Sequence, residues 1–140
     1  MPAFQTRRTI EWGECDAAGI VFYPNYFRWM DATFHLLSRE CGFDQNRLPA
    51  EYGLLATPLI EAKCQFRAPA HYYQPLDISA RIEGLTRTSV TLVYAFAVDG
   101  AAVAEGREVR AFVSGTPSAL QKAEIPAAIR AALERFGNGQ

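Results

Sequence analysis

The chain has 140 residues, 49% hydrophobic and 21% charged, a balance that fits one soluble globular domain spanning 1–140. A net charge of −1 leaves no electrostatic footprint for nucleic acid or an anionic membrane surface. Cys15, Cys41 and Cys64 are widely spaced with no C-x-x-C pair, so neither a zinc site nor a disulfide framework is indicated, and free thiols suit a reducing cytoplasm.

The N-terminal stretch MPAFQTRRTI has arginines but no apolar h-region after them, and residues 5–12 contain a short alternating segment that predicts a first strand. Residues 24–41, PNYFRWMDATFHLLSREC, predict the one long helix. A 100° step places Tyr26, Met30, Thr33, Phe34, Leu37 and Cys41 on one apolar stripe. Asp31, His35 and Ser38 fall on the polar side. Pro24 suits the first helical position and Gly42 the stop. Residues 43–56 read as an irregular connection with weak helical character.

From Pro58 the texture turns to β. LIEAKCQFR, LDISARIEGL, SVTLVYAFAV and VAEGREVRAFV alternate, are rich in Val, Ile and aromatics, and are separated by turn residues. Asp99-Gly100 marks a two-residue hairpin between the last two. LVYAFAV, the longest apolar run, is far short of the ~18 residues of a membrane span, so no membrane partner is expected. In the third of these strands Leu92, Tyr94, Phe96 and Val98 share one face. Thr91, Val93, Ala95 and Ala97 share the other and are small enough for close contact with another layer. Residues 125–136 predict a short amphipathic C-terminal helix. One helix must then cover one face of a five-stranded antiparallel sheet, an α+β layer arrangement whose edges call for covering or pairing.

Chemistry concentrates before the long helix, in CDAAGIVFYPNYFRWMD. Asp16 is ionised at neutral pH and precedes a helix whose first-turn N–H groups lack intrahelical partners. A carboxylate that attacks and donors that hold the resulting oxyanion would come from one segment, with Gly19 permitting a tight turn. On spacing alone, Asp16 capping a turn is the favoured reading. Cys15 with His35 as its base is a rival nucleophile, although a free Cys is more often a small buried hydrophobe. His35 and His71 lack metal-ligand spacing.

The pattern E-W-G-E-C-D16-A-A-G19-I-V-F-Y23-P-N-Y26-F-R-W-M-D31 resembles the hotdog-fold acyl-CoA thioesterases, in the 4-hydroxybenzoyl-CoA branch that carries an aspartate in this loop. The similarity runs from about Arg8 through ATPLIEA to about Ile125. It implies a five-stranded antiparallel sheet wrapped around a long helix, and hydrolysis of an acyl-CoA to CoA and a free acid without metal or organic cofactor. It also implies Asp16 as nucleophile or general base, Tyr23 N–H as oxyanion donor, and Gly19 shaping the loop. Asp31 would meet a ring hydroxyl, or lie on a solvated face in i,i+4 pairs with His35 and Arg39. Thr57 would lie close to the site, or serve turn chemistry. Arg87 and Lys122 are the candidate CoA contacts. Homodimers assembling into homotetramers, with each site between subunits, complete the implied picture.

Two departures stand out. The hydroxybenzoyl branch carries a tryptophan after the helix, and GFDQNRLPAEYG has none; the loop GLTRTS offers only Arg87 as a cation. The acyl group is therefore aromatic by first expectation and short- or medium-chain aliphatic by the second. A non-catalytic acyl-CoA-binding module is the alternative from another class.

Overall fold

A computed structural model describes residues 3–137. In chain order it contains β1 (Phe4–Thr9), a 3-10 turn (Trp12–Glu14), α1 (Pro24–Glu40), α2 (Arg47–Tyr52), β2 (Leu59–Phe66) and β3 (Pro75–Leu85). There follow β4 (Ser89–Val98), β5 (Ala101–Ala111), β6 (Val113–Thr116), β7 (Ala119–Lys122) and α3 (Ala127–Glu134). Five strands form an antiparallel sheet in the order β1-β3-β4-β5-β2, while β6 and β7 form a separate hairpin. The expected α+β hotdog arrangement is present. No described helix is long and apolar enough to cross a membrane.

The long helix starts at Pro24, where the missing N–H costs nothing, and stops at Cys41 because Gly42 follows with φ +82. All six stripe residues are buried, Met30, Phe34 and Leu37 completely. Each such side chain contributes about 1.5–3 kcal/mol relative to leaving it exposed. Trp29 and Ser38 extend the buried face. Ser38 is thus a correction: it does not share the solvated side with Asp31 and His35. Its hydroxyl donates to the His35 carbonyl at 2.9 Å, and that local bond lets a small polar side chain enter the core.

Period-2 alternation builds the opposing wall. Leu92, Tyr94, Phe96 and Val98 of β4 share one face as expected, and it is this face that points inward, beside Ile78, Ala80 and Ile82 of β3. On β5 the inward positions are Ala104, Gly106, Glu108 and Arg110. Gly106 is there because α1 passes close: a Cβ on it would lie 2.6 Å from Met30 Sδ and 2.9 Å from its Cε. Asp99 and Gly100, both with positive φ, close the β4–β5 hairpin as the sequence announced. The outward face carries the ion pairs Arg107–Glu61, Arg107–Glu83 and Arg67–Glu105.

The weak helical character expected in 43–56 is present as the short α2, ended by Gly53 at φ +67. Two segments differ from expectation. The fourth strand breaks after Ala111, and Val113 begins a hairpin whose turn is Pro117-Ser118. The C-terminal helix is shorter than 125–136, because Pro126 holds an extended ψ of 144° and helix geometry begins only after it. At the sheet edge β2 is exposed along nearly its whole length, with Leu59, Ile60 and Phe66 facing solvent in the protomer.

Two outcomes are expected. Gly106→Ala should lower stability by about 1–3 kcal/mol, read as a lower urea midpoint at unchanged m, because the completely buried Met30 must shift to admit the new methyl group. Burial pushes the Cys64 thiol from 9.0 up to about 11. The folded state holds that proton more tightly than the unfolded chain, so this contribution is complete below pH ~9 and is lost as pH rises towards 11. The urea midpoint of Cys64→Ala should therefore fall less steeply than wild type between those pH values.

Candidate active site

The segment between β1 and α1 is shaped by Glu14, at the end of the 3-10 turn. Its carbonyl accepts from Phe22 N at 2.9 Å and from Asn25 Nδ2 at 2.8 Å. Its carboxylate accepts from Glu11 N at 2.8 Å, from Trp29 Nε1 at 3.3 Å and from Arg8. Arg8 in turn lies over the Trp29 ring, 4.9 Å from its centroid. One residue thereby ties β1, the turn, the loop and the first turns of α1 together.

Within that clamp the chain makes a tight hairpin. Cys15 bridges Val21, Asp16 N donates to Ile20 O at 2.9 Å, and Gly19 N returns to Asp16 O at 2.9 Å. Gly19 has φ +78, a conformation that a side chain would strain. The Asp16 side chain closes the turn through Oδ1, which accepts from Ala18 N at 2.9 Å. The capping expectation is thus met by one oxygen. Among the described residues Oδ2 has no partner, and Asp16 is exposed.

The helix N-terminus supplies the complementary group. Pro24 has no N–H, while Asn25 and Tyr26 donate to Phe22 O and Tyr23 O at 3.0 and 3.1 Å. Among the described residues Tyr23 N–H meets no acceptor. A carboxylate oxygen and a backbone donor, both uncommitted, therefore lie on one clamped segment. Cys15 is a poor rival: burial, then Asp16 and Glu14, push its thiol up, and His35 makes no contact with it among the described bonds.

A second cluster surrounds Asp31. Arg110, buried on β5, donates from Nη2 to Asp31 Oδ1 at 2.8 Å and from Nη1 to the Thr57 carbonyl at 3.1 Å. Its Nε reaches Glu108 Oε1 at 3.0 Å, and Tyr94 OH donates to the same oxygen at 2.7 Å. The guanidinium sits 4.2 Å over the Phe34 ring. Burial lowers the Arg110 pKa, but hydrogen bonding and charge from Glu108, with Asp31, outweigh it and the net shift is upward. Burial first, then Glu108, pushes Tyr94 well above its usual range. Asp31 itself is half exposed and also stands 3.5 Å from His35, the expected i,i+4 pair; Arg39 forms no ion pair among the described residues. Sequence reading missed Glu108 and Arg110. Their signal was two charges on consecutive inward positions of an otherwise apolar strand face.

Thr57 is buried just before β2. Arg87 and Lys122 are exposed, in the β3–β4 turn and at the end of β7, with no side-chain hydrogen bond or ion pair among the described residues. The bonds Phe112 N to Thr88 O, Ala123 N to Phe112 O and Ile125 N to Arg87 O bring these two segments alongside each other. Arg130 of α3, not singled out from sequence, donates to Thr86 O in the same turn. No described hydrogen bond or ion pair joins the Asp16 loop to the Asp31 cluster, or either of them to Arg87 and Lys122.

Comparison with known proteins gives these residues a context. Residues 10–133 match the family described as the thioesterase-like superfamily. The chain is 32% identical to the 4-hydroxybenzoyl-CoA thioesterase of Pseudomonas sp. (strain CBS-3) over 127 residues, covering 86% of this chain and 90% of that protein. A crystal structure of a 4-hydroxybenzoyl-CoA thioesterase mutant complexed with 4-hydroxybenzoyl-CoA superposes with TM-score 0.87 at 28% identity, covering 94% of this chain and 98% of that one. The gentisyl-coenzyme A thioesterase BH1999 superposes with TM-score 0.76 at 32% identity, covering 92% and 98%. With nearly the whole described chain matched in sequence and in fold, this protein is a hotdog-fold enzyme of the thioesterase-like superfamily.

Proposed function

We propose that the protein, as one hotdog domain, hydrolyses an acyl-CoA thioester to CoA and a carboxylic acid in the cytoplasm. The observation that carries this reading is the pairing, on one clamped segment, of the free Asp16 oxygen with the free Tyr23 N–H. A thioester carbonyl placed between them meets an anionic attacker on one side and a donor for its developing oxyanion on the other. Asp16 attacks the carbonyl carbon, or takes a proton from a water that does; the tetrahedral centre collapses with loss of the CoA thiolate. If Asp16 attacks directly, water then hydrolyses the acyl-aspartate. Gly19 keeps the turn tight enough for the acyl group to approach the backbone. Neither route calls for a metal or organic cofactor.

The acyl group proposed is aromatic and hydroxylated. The relatives named above are called hydroxybenzoyl- and gentisyl-CoA thioesterases, and Asp31 offers a half-exposed carboxylate. Thr57 lines the same pocket, and Arg87 and Lys122 meet the CoA phosphates. The long exposed edge of β2 pairs with a second copy, giving a homodimer that assembles into a homotetramer with sites between subunits. A short- or medium-chain aliphatic acyl group is the second reading, favoured by the lack of a tryptophan in 42–53.

The test is CoA release from a panel of aryl and aliphatic acyl-CoA thioesters by wild type and Asp16→Asn. The variant should lose roughly 10³-fold or more in kcat with little change in KM. Binding of acyl-CoA by wild type without release of CoA from any member would replace this reading with that of a binding module.

A further inference from the structure

The reading of Asp31 leaves Arg110 without a task, although it is the most heavily engaged side chain in the molecule. It is a buried cation with 4% side-chain exposure, and it touches the 53%-exposed Asp31 carboxylate from beneath. Its three nitrogens are all committed: Nε to Glu108, Nη1 to the Thr57 carbonyl, Nη2 to Asp31 and, at 3.3 Å, to Glu108 Oε2. Asp31 and Thr57, which the resemblance puts at the acyl group and close to the site respectively, come from α1 and from the segment before β2. Arg110, from a third element, is the side chain that bonds to both.

The partners divide Asp31 unevenly. Oδ1 accepts from Arg110 and faces His35, whereas Oδ2 has no partner among the described residues. A half-exposed aspartate on a helix surface ordinarily samples several rotamers. Here a planar guanidinium, held in turn by Glu108 and the Thr57 carbonyl and stacked on Phe34, fixes one oxygen of a half-exposed carboxylate and leaves the other without a partner among the described residues.

We propose that Arg110 is a positioning residue for substrate discrimination: it orients Asp31 against the Thr57 segment so that Oδ2 accepts a hydrogen bond from a hydroxyl on the acyl group. The inference rests on the acyl-CoA reading above and deepens it. The substrate class it selects is acyl groups bearing a donor at their distal end, over the same acyl groups lacking one. Lysine in place of Arg110 keeps the positive charge, but a point charge cannot serve Glu108, Thr57 and Asp31 in one plane.

The experiment measures kcat/KM for 4-hydroxybenzoyl-CoA and benzoyl-CoA in wild type, Asp31→Asn, Arg110→Lys and the double variant. Wild type is expected to prefer the hydroxylated substrate. Arg110→Lys should reduce that preference by about tenfold, mostly through KM for 4-hydroxybenzoyl-CoA, and leave benzoyl-CoA turnover within about threefold. In the double variant the Arg110 substitution should add nothing, because its effect passes through Asp31. An equal loss on both substrates in Arg110→Lys, or multiplying effects in the double variant, overturns the proposal and leaves Arg110 a purely structural residue. If Arg110→Lys does not fold, Glu108→Gln/Arg110→Met, which removes both buried charges together, is read by the same ratio. A wild type with no preference, or one whose preference survives Asp31→Asn, overturns the assignment of Asp31 itself and this proposal with it. Loss of preference in Asp31→Asn with full preference in Arg110→Lys overturns the Arg110 proposal alone.

Discussion

The close approach of α1 to β5 is the constraint around which the protomer is arranged. Met30 occupies the space that a Cβ on Gly106 would need, and Phe34 and Leu37 continue the same line of complete burial. A sheet that curls around one helix must accommodate that helix's side chains, and at Gly106 a position without a side chain of its own leaves room for Met30. Once α1 is seated this way, its N-terminus is delivered beside the β1 end of the chain, and the Asp16 loop has a fixed wall to close against. The helix also carries Asp31 to the position from which Arg110 can reach it.

Two polar ties then convert an apolar scaffold into defined chemistry. At one end Glu14 joins Arg8, Glu11, Trp29, Phe22 and Asn25, so the loop has little freedom apart from its tip. At the other, Glu108 and Arg110 place charge on the buried face of the sheet. Ion pairs in such a setting are costly to desolvate, by several kcal/mol per ion, and are weak grounds for stability. Their retention between α1 and β5 is better understood through what they hold: a half-exposed carboxylate and a backbone carbonyl from two other elements. Both ties hold an element in place beside uncommitted polar atoms, Asp16 Oδ2 and Tyr23 N–H in one case and Asp31 Oδ2 in the other.

Much of the fold was legible. The 3.6 period of Tyr26, Met30, Phe34 and Leu37 and the 2.0 period of Leu92, Tyr94 and Phe96 are each produced by burial on one side, so the order of apolar residues exposes them. Pro24, Gly42 and Asp99-Gly100 act through local sterics and were equally readable. Ser38 was misjudged because its polarity is satisfied by its own helix turn, which a hydropathy count does not register. The β6–β7 hairpin was missed because strands of four residues carry too little alternation to stand out. Asp16 as turn former was readable, and its Oδ1 closes the turn while Oδ2 has no partner among the described residues.

By itself, then, the sequence determined the long helix, the five strands of the main sheet and the turn residues from Asp16 to Pro24, since their periodicity and sterics depend on neighbours within a few residues. Tertiary structure alone decided which donors and acceptors are left over. Tyr23 N–H is uncommitted because no carbonyl among the described residues is brought within reach of it, and Asp31 is held at Oδ1 by a residue on β5. Hydrogen-bond vacancies are set by the whole ledger of partners across the fold, and a partner 79 positions away leaves no local mark on the residue it orients.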